Sequence, residues 1–180
     1  MTLGQNWQVS WVTMNNVKYE YELYAPMCGW LEQQLKDKYK HYDCDIIVED
    51  THSVYLDSIL TKHGVISSYP QAVGIQIQID VLGIVKFKNG TSDLVFIEAK
   101  KTELNIQDLG QLRMYCDLIN PSDAYLLSSK GLGHLDKILK NFSREDMLDF
   151  GSGKTIKKIK VAKWDIAKKS PDYNSMVPKM

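Results

Sequence analysis

The chain has 180 residues, 44% of them hydrophobic, and its 22 basic and 22 acidic residues give a formal net charge of +0. This length and composition favour one soluble globular domain with a substantial core. A membrane protein is excluded because the apolar runs are only strand length, and the N-terminal residues lack the basic and apolar regions of an export signal.

The N-terminal quarter predicts a β-hairpin followed by an amphipathic helix. Aromatic and β-branched residues alternate from Trp7 to Tyr24, around Asn15-Asn16, which is typical of a short hairpin. The segment from Pro26 to Tyr39 starts with a helix-initiating proline and repeats apolar residues at helical spacing. We therefore expect residues 1–24 to form an extension and residues 25–170 to form the core of a single domain.

The next segments predict a strand, a helix and a long hairpin. Tyr42 to Val48 has the pattern of a strand, and Ser53 to Lys62 that of a helix closed by Gly64. Gly74 to Lys88 and Leu94 to Lys100 are rich in β-branched residues. Because Asn89-Gly90 lies between them, these two segments predict an antiparallel hairpin.

The C-terminal half completes a mixed α/β pattern. It predicts a helix over residues 105–118, a strand over 124–128, a helix over 132–142 and a last strand over 156–166. The resulting prediction is a central mixed β-sheet flanked by helices. The last strand lies in a lysine-rich segment, Lys154 to Lys169, which would form either a basic strip for a phosphate backbone or an ordinary solvated strand face.

Two acids and one lysine of the predicted hairpin are expected to meet at one point. Alternation along the second strand sends Glu98 and Lys100 to the same face. If residues 88 and 92 close the turn, Asp80 lies opposite Lys100 and diagonal to Glu98, at Cβ separations of roughly 5–8 Å. Two carboxylates at that distance can share a Mg²⁺ ion.

Each of these side chains also has an ordinary structural interpretation. A Glu and a Lys two apart on a strand often form a solvated face, and Asp80 alone could be a turn or edge residue. However, the apolar run before Glu98 is typical of a strand buried on both faces. A buried acid and lysine at the end of such a strand need partners or a function, which favours the functional interpretation.

The motif resembles the PD-(D/E)xK nuclease superfamily. The matching residues are Ile79-Asp80-Val81-Leu82-Gly83 followed by Phe96-Ile97-Glu98-Ala99-Lys100, with Ile79 in place of the family's frequent proline. The segment from Asp108 to Tyr115 (DLGQLRMY) is similar to the Gln-Leu-x-x-Tyr helix of many members. The resemblance covers roughly residues 75–130 and implies a restriction-endonuclease-like core.

The resemblance also implies a metal-dependent deoxyribonuclease. Asp80, Glu98 and the Ala99 carbonyl would bind Mg²⁺, with Mn²⁺ as a substitute, and Lys100 would position or deprotonate the attacking water. Gln111 and Tyr115, which share a helix face, would orient Lys100 or the phosphate. Family members often add a glutamate from the first helix. Glu32 is the best candidate and Glu22 the second, although Glu32 could equally form an exposed ion pair with Lys36.

The sequence is compatible with several types of nuclease. The first expectation is a restriction-type endonuclease that cuts duplex DNA as a homodimer, because a double-strand cut needs two symmetric sites. The alternatives are a RecB-like exonuclease, a structure-specific junction or phage nuclease, or a catalytically silent DNA-binding module. Three scattered cysteines without Cys-x-x-Cys spacing argue against a zinc or iron–sulfur site and predict the reducing cytoplasm.

Overall fold

The computed structural model describes residues 16–179, which form a six-stranded mixed sheet with helices on both faces. The strand order is β1-β2-β3-β4-β7-β8, and β5 and β6 pair separately as a two-stranded sheet. The strands are β1 (Cys44–Asp50), β2 (Val81–Phe87), β3 (Ser92–Lys100), β4 (Asp123–Ser128), β5 (Asp149–Phe150), β6 (Lys157–Lys158), β7 (Lys160–Asp165) and β8 (Ser170–Pro171).

The sheet combines an antiparallel half with a parallel half. Strands β1, β2 and β3 form an antiparallel meander, whereas β4 runs parallel to β3, and β7 runs parallel to β4. As a result, the end of β1, the start of β2 and the ends of β3 and β4 lie at one edge of the sheet. This edge carries the candidate site.

Four helices lie against the sheet in the described part of the chain, and the third has clear start and stop signals. They are α1 (Tyr24–Lys38), α2 (Leu56–Lys62), α3 (Ile106–Ile119) and α4 (His134–Asp136), which continues into a π-helical turn, Lys137–Asn141. The Asn105 side chain accepts hydrogen bonds from the backbone of Gln107 and Asp108 and so caps α3. Asn120 ends the helix in the left-handed conformation (φ 60°).

Two hydrophobic clusters lie on opposite faces of the sheet, in keeping with the alternation along β3. Leu94 and Phe96 pack in the cluster that contains α2 and α3, whereas Val95 and Ile97 pack in the cluster that contains α1. Gly83 allows α1 to pack closely on the sheet, because a Cβ there would lie 3.0 Å from Leu35 Cδ1. The face of α1 that was predicted to be apolar is buried through Met27, Leu31, Leu35 and Tyr39.

The predicted hairpin around Asn89-Gly90 forms, but its first strand is much shorter than predicted. Gly90 adopts φ 86°, and the Asn89 side chain accepts hydrogen bonds from Thr91. Strand β2 begins only at Val81, so the prediction of a strand from residue 74 is wrong. Residues 74–80 instead satisfy backbone groups elsewhere, since Leu56 N donates to Ile77 O.

The predicted N-terminal hairpin is wrong where it can be compared. Its first half lies outside the described residues. Its second half contains a 3-10 turn, Glu20–Leu23, that leads directly into α1 at Tyr24. Tyr19, Tyr21 and Tyr24 therefore belong to a helical start.

The predicted last strand is divided between two sheets. Lys157–Lys158 pairs with β5, and Lys160–Asp165 pairs with β4, so residues 156–166 are not one strand. Ile159 separates them and donates its N–H to Leu148 O. The helix predicted over residues 132–142 is mostly the π-helical turn that follows α4.

The helices and the cysteines bear on the type of protein. Within residues 16–179, no helix is both long and apolar enough to cross a membrane. Cys28, Cys44 and Cys116 are free thiols.

Candidate active site

Asp80, Glu98 and Lys100 converge at the common edge of β2 and β3, but in a register that differs from the prediction. Val81 pairs with Ile97, so the next position along places Asp80 opposite Glu98. The predicted pairing of Asp80 with Lys100 is therefore wrong by two residues. Because the error is an even number, the three side chains still lie on one face of the sheet.

At the end of β3, the Asp80 side chain replaces a backbone carbonyl as the hydrogen-bond acceptor of Ala99 N. The Asp80 carboxylate accepts a hydrogen bond from Ala99 N through Oδ2, at 2.8 Å. Ile79 O, which would face Ala99 if the ladder continued, accepts a hydrogen bond from the Thr51 hydroxyl at 2.5 Å. Thr51 N also donates to Asp80 O, which fixes the backbone on which the Asp80 carboxylate is carried.

Glu98 is buried, with only 5% of its surface exposed. Its Oε1 accepts a hydrogen bond from Lys100 Nζ at 2.9 Å. Its Oε2 is also buried but has no hydrogen-bond partner among the described residues. An unpaired buried carboxylate oxygen costs stability, so its presence calls for a functional explanation.

The electrostatics of the three groups are strongly coupled. Burial first, and the Asp80 carboxylate second, raise the pKa of Glu98 to about 7, although Lys100 opposes the shift. Burial also raises the pKa of Asp80, against the opposing effects of the Ala99 N–H and Lys100. Burial alone would lower the pKa of Lys100, but Glu98 and other nearby carboxylates raise it above its ordinary value.

Glu20 adds a third carboxylate, which the sequence analysis missed. Its Oε2 accepts a hydrogen bond from Lys101 N at 3.1 Å, directly after the end of β3. Its charge contributes to the raised pKa of both Glu98 and Asp80, after the larger effects of burial. The sequence feature that could have identified Glu20 is its position four residues before Tyr24, one turn ahead of a helix. The interpretation of this segment as a hairpin concealed that feature.

Tyr24 closes the site on the side of α1. The residue is buried, and its hydroxyl lies beside the Asp80 carboxylate. Burial, together with Asp80 and Glu20, raises the pKa of this hydroxyl well above its ordinary range, so Tyr24 remains a neutral donor. A neutral donor beside Asp80 favours the ionised carboxylate.

Gln111 and Tyr115 lie on α3 and contact one another. Gln111 Nε2 donates to the Tyr115 hydroxyl at 3.4 Å. Gln111 is exposed, and Tyr115 packs partly against the core cluster of α2 and α3. No hydrogen bond between this pair and Lys100 is present in the described part of the chain.

Neither glutamate predicted to join the site does so. Glu32 is 48% exposed and forms the ion pair with Lys36, at 2.5 Å, that the sequence offered as its alternative. Glu22 Oε2 accepts hydrogen bonds from Lys18 N and Tyr19 N and so caps the 3-10 turn. The carboxylate from this region that faces the site is Glu20.

The donor set fits a hard divalent cation. Within residues 16–179, no group of three or more His, Cys, Asp or Glu side chains is already arranged around a metal position. Mg²⁺ usually takes only one or two carboxylates and keeps several waters. Asp80 and Glu98, with the unpaired Glu98 Oε2, supply that smaller set.

The lysine-rich segment is partly neutralised. Lys160 contacts Asp123 at 2.5 Å, and Lys158 forms an ion pair with Asp149. Lys157 Nζ donates to the backbone carbonyl of Pro121 at 2.5 Å. These contacts support the interpretation of a strand face more than that of a free basic strip.

Comparison of the chain with protein-family models, with curated proteins and with solved structures found no match.

Proposed function

We propose that this protein is a Mg²⁺-dependent nuclease that hydrolyses DNA phosphodiester bonds at the Asp80–Glu98–Lys100 site. The observation that carries the proposal is the buried Glu98 carboxylate, paired with Lys100 through one oxygen and unpaired through the other. Two adjacent buried acids whose pKa values are both raised above the ordinary range destabilise the fold. Such an arrangement is typical of a functional site.

The cation would be held by Asp80, Glu98 and the Ala99 carbonyl. Lys100 O accepts from Ser129 N on the β4 side. Because successive carbonyls alternate along a strand, the Ala99 carbonyl is directed to the other side, where its own N–H meets Asp80. When bound, the cation supplies Lewis-acid polarisation of the phosphate and a water of lowered pKa.

Lys100 would act as a charged group in this mechanism. Because the neighbouring carboxylates raise its pKa, the amine is protonated at neutral pH. Its ammonium can therefore orient the attacking water and stabilise the charge that develops on the phosphate oxygens. Of the two roles that the resemblance implies for Lys100, this charge state favours positioning of the water over its deprotonation.

The restriction-endonuclease-like core is part of the proposal. What supports it is the order of helix, antiparallel strands, helix and parallel strand, with the acidic site at the end of β3. We further propose Gln111 and Tyr115 as substrate-orienting residues, on the basis of their helix following the Glu-x-Lys strand. Their mutual hydrogen bond would then have to open towards the substrate.

The form of the enzyme that we propose first is a restriction-type endonuclease acting as a homodimer in the cytoplasm. The alternatives are a RecB-like exonuclease, a structure-specific nuclease or a silent DNA-binding module. Incubation with circular and linear plasmid, with Mg²⁺ or EDTA, separates them. Discrete fragments from the circle indicate endonuclease activity, and resistance of the circle until it is linearised indicates an exonuclease.

The same assay tests the residues. We expect Asp80→Ala and Lys100→Ala to lose Mg²⁺-dependent cleavage while retaining the circular-dichroism spectrum of the wild-type protein. Wild-type protein that binds DNA without cleaving it in Mg²⁺ or Mn²⁺ would support the silent module. Equal cleavage by the wild type and both variants would contradict the proposed site.

A further inference from the structure

A histidine–carboxylate pair lies at the same edge of the sheet as the proposed site. Asp50 pairs with Val81, and Val81 pairs with Ile97, so these three residues lie side by side across β1, β2 and β3. The next row holds Thr51 beside Asp80, joined by the Thr51 N to Asp80 O hydrogen bond of 2.9 Å. His52 is the residue that follows, so the topology places it at the rim of the site.

The pair has a defined geometry. His52 Nδ1 lies 2.6 Å from Asp50 Oδ1, and His52 N donates to the same oxygen at 3.2 Å. The imidazole packs on the ring of Tyr24, with centroids 4.9 Å apart. Since the Tyr24 hydroxyl lies beside Asp80, one continuous set of contacts connects His52 to the proposed metal ligands.

The second nitrogen of His52 is left for a partner. Among residues 16–179, Nε2 has no hydrogen bond, and the side chain is 43% exposed. His63 shows the contrast, because its Nε2 already contacts Glu49 at 3.0 Å and its side chain is only 15% exposed. A carboxylate that holds one ring nitrogen fixes the direction of the other.

We propose that the Asp50–His52 pair binds the phosphate backbone of the substrate next to the bond that is cleaved. This inference rests on the proposed nuclease function. In the imidazolium form, Nε2–H donates to a phosphate oxygen while Asp50 accepts from Nδ1–H. The groups that face the ring are Asp50 on β1 and Tyr24 on α1, with Asp80 behind Tyr24.

The charge distribution explains why such a contact is needed. Asp80, Glu98 and Glu20 are all acidic, and Lys100 is already engaged by Glu98. A polyanionic backbone must be held near these acids by donors outside the metal position. His52 supplies one at the rim without adding a further charge to the buried cluster.

The test is binding of a labelled 12-base-pair DNA duplex by fluorescence anisotropy, in EDTA at about pH 6. We expect His52→Gln to raise Kd about three- to tenfold, as for one exposed charged hydrogen bond. The slope of log K against log salt should fall by about 0.9, because one phosphate contact is lost. A purely structural role would not change that slope.

Two further variants sharpen the result. Asp50→Ala should weaken binding to a similar extent, and adding it to His52→Gln should cause no further loss, because the two residues act as a unit. His41→Gln is the matched control: this exposed histidine precedes β1, and six strand steps from Cys44 to Asp50 span about 20 Å. It should leave both Kd and the salt slope unchanged.

The outcomes separate this inference from the function on which it rests. If the wild type cleaves DNA but His52→Gln binds it with unchanged Kd and slope, the inference is overturned and the nuclease stands. If the wild type never cleaves but His52→Gln shows the predicted loss, the phosphate contact is supported and the nuclease proposal fails. A wild-type protein that does not bind the duplex overturns the inference about His52, and the cleavage assay alone decides the nuclease proposal.

Discussion

Replacing Glu98 by Gln should stabilise the metal-free protein while removing its proposed activity. The pKa of Glu98 is about 7 in the folded protein and 4.5 ordinarily. At about 1.36 kcal/mol for each tenfold change, ionisation of Glu98 costs the folded state roughly 3 kcal/mol. Gln keeps the shape and can still accept from Lys100, so we expect a gain of about 1–3 kcal/mol at pH 8.

The sign of the pH dependence is specific. Between pH 4.5 and about 7 the folded state holds the Glu98 proton more tightly than the unfolded chain, so this contribution makes stability fall as pH rises. The full cost is present above about pH 7 and absent below 4.5. The advantage of Glu98→Gln should therefore be near zero at pH 4.5 and largest at pH 8.

Urea unfolding in EDTA, followed by tryptophan fluorescence at both pH values, measures this difference. Glu32→Gln is the control, because Glu32 is 48% exposed in a surface ion pair, and its effect should stay below about 0.5 kcal/mol. A Glu98→Gln protein that is less stable than the wild type at pH 8, or that differs from it equally at both pH values, would refute the electrostatic reasoning.

Three further outcomes follow from the structure. In about 10 mM Mg²⁺, a site with Kd near 1 mM should stabilise the wild type by about 1.4 kcal/mol and Glu98→Gln by much less, as thermal unfolding would show. Calorimetric Mg²⁺ affinity should rise about tenfold from pH 6 to pH 8, because Glu98, with its pKa of about 7, must lose its proton to bind a cation; an unchanged affinity would exclude Glu98 as a ligand. Gly83→Ala should cost about 1–3 kcal/mol in urea unfolding, because the added Cβ would press on Leu35 and Leu31 at 3.0 and 3.1 Å; an unchanged midpoint would show that α1 can shift.

The sequence predicted the face of each site residue better than the register that joins them. Alternation along β3 depends only on neighbouring residues, so Glu98 and Lys100 fall on the predicted face. The pairing depends on the number of residues in the turn. The prediction closed the turn with residues 88 and 92, whereas Lys86 pairs with Ser92 in the structure. That two-residue difference exchanges the partner of Asp80 but preserves the face.

The missed strand boundary has a tertiary cause. Residues 74–80 alternate like a strand, and Ile77 and Ile79 are indeed buried. Their carbonyl groups, however, accept from Leu56 N and the Thr51 hydroxyl, which lie outside β2. No local pattern in residues 74–80 indicates that a loop and a helix start will donate hydrogen bonds to these carbonyl groups.

Glu20 could not be assigned because its element was misinterpreted. The aromatic alternation favoured a hairpin from Trp7 to Tyr24, but within the described residues Tyr24 lies in the core and Tyr19 and Tyr21 are exposed. Likewise, the position of His52 near the site depends on the pairing of β1 with β2, far apart in sequence. His52 could be found only once the strands were paired, whereas Glu20 required the helical start before Tyr24 to be recognised.

The central claim is tested most directly by the Mg²⁺-dependent cleavage rate of Lys100→Ala compared with that of its neighbour variant, Lys101→Ala. Lys100 is paired with Glu98 in the site, whereas Lys101 is exposed and contacts the Lys18 carbonyl through its side chain. We predict a single-turnover rate at least about a thousandfold below wild type for Lys100→Ala, in line with the loss of a transition-state stabilising group, and a rate within about threefold for Lys101→Ala. Equal rates for the two variants would contradict the account.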